Sequence, residues 1–189
     1  MKRRTLRVIR VFRSISEPRQ GFLVAGPIRI RCALGRSGLT RTKREGDGAT
    51  PVGRWSVLGL MYRPDRVRRP IAPLPVTAIR PRDGWCDAPG DRRYNRPVPL
   101  PYPASHERLW REDALYDVVL DLAYNRGPIR PGRGSAIFLH QARPDLGPTE
   151  GCIAVPAPAM ARLLPRIGPR TTIDVAGGAA PARPRLRPS

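Results

Sequence analysis

A chain of 189 residues is long enough for one packed domain, and no run of about 18 apolar residues marks a helical membrane span. Its 24 prolines and 18 glycines argue against a helix-rich fold, because proline removes a backbone donor and breaks helix interiors. The formal charge of +20 points to an anionic partner, yet only Lys2 and Lys43 are lysine, and so strong an arginine skew also reads as the composition of a GC-rich genome. The arginines are scattered and aromatics make up 6%, so no stacking platform for bases is evident and specific nucleic-acid binding is not expected.

In chain order, Met1 to Arg4 is basic enough to open a signal peptide, but the segment from Thr5 to Arg13 is broken by arginines and has no apolar h-region. A leader missing from the sequence, a misassigned start and another export route all stay open. Residues 5–13 alternate roughly and predict a half-exposed strand. Residues 21–34 predict two short strands about a Gly-Pro turn, and 35–50 a loop. Trp55 to Tyr62 predicts a strand. The Pro- and Arg-rich stretch 63–104 predicts one strand, 76–80, in otherwise irregular chain. His106 to Leu115 predicts a short helix. Tyr116 to Tyr124 gives the clearest strand, with Tyr116, Val118, Leu120 and Leu122 on one face. Ser135 to His140 predicts another strand, Pro156 to Ile167 a helix shortened by Pro165, and Thr171 to Val175 the last strand. Residues 1–176 are expected to be one domain and 177–189 a disordered tail. The fold class expected is mainly β with a few short helices.

Cys32, Cys86 and Cys152 are odd in number and lack a CxxC pair. Neither a disulfide framework nor a zinc site is expected, at least one thiol should be free, and a Cys32–Cys86 bridge stays open. Of the two histidines, His140 closes an apolar run, and Cys152 follows twelve positions later inside Thr149-Glu150-Gly151-Cys152. Cysteine nucleophiles need a nearby base, and a histidine and a cysteine on adjoining strands can meet across a sheet edge. Gly151 permits a close backbone approach, and the Gly151 and Cys152 amides are candidates for an oxyanion site. An adjacent imidazole is expected to leave Cys152 with a thiolate fraction near neutral pH, while a backbone carbonyl near Gln141 or in the 141–150 loop fixes the His140 tautomer. The competing interpretation is a buried small cysteine and a structural histidine.

The segment Gly134-Ser-Ala-Ile-Phe-Leu-His140 followed by Thr149-Glu-Gly-Cys152 resembles the signature of the YkuD-type L,D-transpeptidases. Upstream, Thr50-Pro51-Val52-Gly53-Arg54-Trp55 is similar to that family's Thr-Pro-x-Gly-x-aromatic turn. The two stand in the family's order, and the resemblance spans about residues 25–175. It implies a β-sandwich or partly closed barrel, peptidoglycan stem peptides as substrate, and no cofactor or metal. It further implies Cys152 as nucleophile, His140 as base, and the Thr149 hydroxyl as a brace for the cysteine turn. Cross-links of 3-3 or 1-3 type would form through a Cys152 thioester, in the periplasm or cell envelope. Glu150 stands where the family commonly has His or another residue, and Ile153-Ala154 lacks its polar Arg or Asn, which leaves acceptor and cross-link type open.

Glu150 and Gln141, with Tyr124 and Arg133 upstream, are candidate substrate contacts. The segment Lys43 to Asp47 reads as a carboxylate grip or a solvated loop, and Trp85, Trp110 and Tyr102 as glycan contacts or core. A monomer drawn to an anionic wall surface is expected. The alternatives are an L,D-carboxypeptidase or endopeptidase on muropeptides, a basic nucleic-acid-binding protein, or a non-catalytic wall-binding module.

Overall fold

Alternating side chains set the frame. In β1 (Val8–Arg13) Ile9 and Val11 are buried while Arg10 and Arg13 face solvent. β2 (Gln20–Ala25) and β3 (Ile28–Ala33) form the hairpin expected around Gly26-Pro27, where Gly26 takes a φ of 64°. Short parallel strands β4 (Leu39–Thr40) and β5 (Thr50–Pro51) punctuate the expected loop. The order continues with β6 (Gly53–Tyr62), β7 (Val76–Ala78), β8 (Asp83–Cys86), β9 (Arg96–Pro99), β10 (His106–Arg108), β11 (Val118–Leu122), β12 (Phe138–Gln141), β13 (Ile153–Val155), α1 (Ala157–Leu163) and β14 (Thr172–Ala179).

The computed structural model describes residues 5–179. Residues 177–179, expected to open the tail, instead continue β14; the rest of the expected tail lies outside the described residues. Among the described residues no helix is long and apolar enough to cross a membrane.

Eight strands close into a barrel in the order β11-β12-β13-β3-β2-β1-β14-β6, with β6 returning to β11. Closure removes the free edges that an open sheet would expose. Its interior is packed by Ile9, Val11, Leu23, Leu60, Leu120, Leu139, Ile153 and Ile173, all at or near zero exposure. Each contributes about 1.5–3 kcal/mol relative to exposure. Met160 and Leu163 of α1 join this core, and Pro156 caps the helix start as its fixed φ favours.

A second layer covers the outer face of β11 and β12. It is a three-stranded sheet, β10-β8-β9. Trp85, Leu109, Tyr116, Val119 and Phe138 pack between the layers. Here the structure corrects two expectations. His106–Arg108 pairs with β8 rather than starting a helix, and only Ala114–Tyr116 forms a 3-10 turn. That turn rotates Tyr116 out of the strand alternation, so it packs with Val119 rather than with Val118, Leu120 and Leu122. β9 escapes a pattern reading because its prolines are tolerated only at a sheet edge, which is where it lies. All three cysteines are free, Cys32 inside the barrel and Cys86 in the small sheet.

Candidate active site

β12 and β13 run parallel, with His140 opposite Ala154 and Leu139 opposite Ile153. Leu139 and Ile153 point into the barrel; Phe138 and Cys152 pack in the outer cluster. Phe138 and His140, two residues apart on one strand face, are about 6.6 Å apart along the chain. The Phe138 amide donates to Cys152 Sγ at 3.3 Å, and the thiol donates to the Ala136 carbonyl at 3.1 Å. The thiol thus sits one strand over from the imidazole. Both line a cleft of about 480 Å³ with Glu107, Arg111, Tyr116 and Glu150.

The cysteine turn is braced from two directions. Thr149 donates its hydroxyl to the Cys152 carbonyl at 2.6 Å and accepts the Gly151 amide at 3.2 Å. Thr50 donates to the same carbonyl at 3.3 Å and accepts the Gly35 amide at 2.8 Å. The two sequence motifs, with Thr50 and Cys152 102 residues apart, therefore converge on one oxygen atom. Gly151 has a φ of 132°, and a Cβ there would stand 2.9 Å from the Ala49 carbonyl oxygen, so glycine is required. Because Thr149 takes the Gly151 amide, the expected oxyanion pair is reduced to the Cys152 amide.

Asn95 fixes the opposite wall and went unnoticed in the sequence, buried in an Arg- and Pro-rich stretch. Its Oδ1 accepts from Trp85 Nε1 at 3.0 Å and from the Ala136 amide at 3.1 Å. Its Nδ2 donates to the Tyr124 and Asn125 carbonyls at 3.1 and 2.9 Å. Ala136 has a φ of 50°, a costly conformation for a residue with a Cβ. Asn95 holds it there, which aims the Ala136 carbonyl at Cys152.

The other sequence candidates separate clearly. Gln141 contributes its backbone carbonyl, 2.7 Å from His140 Nδ1. That contact makes Nδ1 the donor and leaves the Nε2 lone pair to accept a proton. Glu150 lines the cleft but is exposed and pairs with Arg36 at 2.7 Å. Tyr124 and Arg133 are spent elsewhere: the Tyr124 hydroxyl donates to the Arg133 carbonyl, and its ring packs edge-on against Trp55 at 4.9 Å. Lys43 is 5% exposed and ion-paired to Asp47, so it is not an open grip, while Arg44 and Gly46 in the same segment are exposed. Its Nζ would lie 3.3 Å from a Cβ at position 151. Trp85 is core, Trp110 stacks under Arg63 at 3.8 Å, and Tyr102 donates to Asp91 at 2.8 Å.

Burial pushes the Cys152 thiol up to about 12; the Glu107 charge adds to this, while the Phe138 amide, Lys43 and Tyr116 oppose it. Burial also takes His140 down to about 4, aided by Arg111 and opposed by the Gln141 and Leu115 carbonyls and Asp113. Burial thus favours a thiol and a neutral imidazole on the shared cleft at neutral pH, not the expected thiolate, and the thiol's hydrogen bonds go to Phe138 and Ala136 rather than to the imidazole. Such a pair can act when an electrophile arrives and the proton moves to Nε2 as sulfur attacks.

Sequence reasoning also missed Glu107, Arg111 and Tyr116. The Tyr116 ring stands edge-on to His140 at 5.2 Å and to Phe138 at 6.0 Å. Its hydroxyl donates to Glu107 Oε1 at 2.6 Å. Arg111 lies 3.7 Å from the same oxygen and forks onto Asp113 at 2.8 and 2.7 Å. The signal available was an acidic residue two positions before the apolar Leu109-Trp110 pair, within the segment expected to be a short helix.

Among known proteins, the family model YkuD, described as the L,D-transpeptidase catalytic domain, matches residues 15–175. No curated protein and no solved structure matches the chain.

Proposed function

This chain belongs to the YkuD L,D-transpeptidase family, and we propose that it cross-links peptidoglycan stem peptides through a thioester on Cys152. The observation that carries the reading is the convergence of Thr50 and Thr149 on the Cys152 carbonyl, beside a cleft that Cys152 shares with His140. A donor carbonyl enters the cleft, sulfur attacks, and the thiol proton passes to His140 Nε2. The Cys152 amide faces the developing oxyanion. On collapse the scissile C–N bond breaks, and His140 returns the proton to the departing amine. An amine of a second stem then attacks the thioester, forming the cross-link and restoring the thiol. The enzyme works at the cell envelope, where its substrate lies, and its arginines draw it to anionic wall polymers.

Intact-mass analysis with purified muropeptides tests this. The expected result is an adduct on Cys152 followed by a dimeric product, with both absent in Cys152→Ala. A trimmed monomer in place of the dimer would assign hydrolysis instead. Turnover retained by Cys152→Ala would remove the reading.

A further inference from the structure

We propose that Glu107 is the group that binds the acceptor ammonium and removes its proton before it attacks the thioester. The inference rests on the transpeptidase reading and names the group that serves its second half.

The chemistry creates a need that His140 does not meet. In acylation the histidine takes one proton and gives it back to the leaving amine, so it begins the second half neutral and can take only one of the two protons an acceptor ammonium must lose to become an amide nitrogen. The acceptor amine reaches the cleft as an ammonium, since alkylamines titrate near 10.4. It is not a nucleophile until a base takes a proton. Glu107 is placed for this, lining the cleft with Cys152 and His140. Tyr116, which packs against His140, holds Glu107 Oε1, and Arg111 approaches that same oxygen. Both contacts use Oε1, which leaves Oε2 for the cleft.

A second observation points to a cationic ligand. Asp87 lines the same cleft, and its Oδ1 is buried without a hydrogen-bond partner. Buried carboxylate oxygens rarely lack a donor, and an incoming ammonium would supply one. In a chain of net charge +20, the cleft lining holds four carboxylates, Glu45, Asp87, Glu107 and Glu150, against two guanidiniums, Arg111 and Arg143, a balance that favours a cation. The charged and titratable groups around Glu107 are Asp87 after β8, Arg111 and Asp113 before the 3-10 turn, Tyr116 within it, and Cys152. Burial and Asp87 raise the Glu107 carboxyl above its usual range, against Tyr116 and Arg111, which makes it a stronger base.

The step balances. The ammonium gives one proton to the Glu107 carboxylate, and the neutral amine attacks the thioester carbon. The C–N bond forms and the C–S bond breaks. The second proton leaves the nitrogen through His140 to the Cys152 sulfur, and Glu107 releases its proton to water.

The test separates the halves. Wild type and Glu107→Gln are acylated with muropeptide, freed of excess donor, and chased with amine acceptor or with hydroxylamine, which is uncharged at neutral pH. Transfer to the charged amine is expected to fall on the order of 100-fold further than acylation does. The hydroxylamine chase should fall no further than acylation. Equal losses in acylation and transfer, or transfer unchanged, would overturn the assignment of Glu107 while leaving the Cys152 thioester intact. No adduct even in the wild type overturns both readings. The wild-type chase also decides the question without a variant. Its rate should rise with a midpoint above the ordinary carboxylate range and well below that of the amine. A rate that follows only amine deprotonation contradicts the proposal.

Discussion

The Cys152 carbonyl accepts a hydroxyl from Thr149 at 2.6 Å and another from Thr50 at 3.3 Å, so the backbone behind the sulfur has little freedom. Thr149→Val removes the nearer donor and frees the Gly151 amide. Acylation, followed by mass, should slow on the order of 10-fold, and Thr149→Ser should restore most of it. The titration of His140 and Cys152 makes a second prediction. His140 falls from 6.5 to about 4 on folding, so the unfolded chain takes up its proton first. Its contribution to stability is complete above about 6.5 and lost as pH falls toward 4. Cys152 rises from 9.0 to about 12, so its contribution is complete below about 9 and lost as pH rises toward 12. Cys32, also raised to about 12 by burial, acts in the same sense. Thermal unfolding should therefore show a plateau between pH 6.5 and 9, bounded by these two shifts. Cys152→Ala should reduce the alkaline slope without abolishing it, and an unchanged slope would contradict the burial argument. Iodoacetamide at neutral pH should modify Cys152 slowly.

At the scale of elements, the site is a seam between β12, β13 and the small outer sheet, and Asn95 is its fastener. Asn95→Ala leaves the Trp85 and Ala136 donors and two carbonyls without their partner. It should cost about 2–4 kcal/mol in urea unfolding, and acylation should weaken beyond what the stability loss explains. Much of this was legible beforehand. β2, β3, β6, β11 and the helix after Pro156 announced themselves by alternation, a Gly-Pro turn and a proline at a helix start. The motif singled out His140 and Cys152, which the fold brings to one cleft. What surrounds the pair was not legible. β8 and β10 hold too few apolar residues to show a period; Glu107 reaches the cleft only because a second sheet folds over β11 and β12, and Tyr116 because the 3-10 turn swings it out of the strand alternation. The protonation state was also hidden, since burial of the pair depends on that covering layer.

For the molecule as a whole, a closed barrel carries the framework while charge governs encounter. Scattered arginines give +20 at long range, yet Glu107 and Asp87 line the cleft, so under the proposed function attraction to the wall and selection at the site would have opposite sign. Binding to isolated sacculi should weaken as salt rises to physiological strength, where the screening length contracts to about 8 Å. Tight, sequence-selective binding of DNA at that salt would contradict the wall assignment. The most direct test remains the mass of the intact protein after incubation with muropeptides. The account predicts a stem-peptide adduct mapped to Cys152, its discharge into a dimer, and neither in Cys152→Ala. An adduct on Cys32 or Cys86, or cross-linking that survives the loss of Cys152, would contradict it.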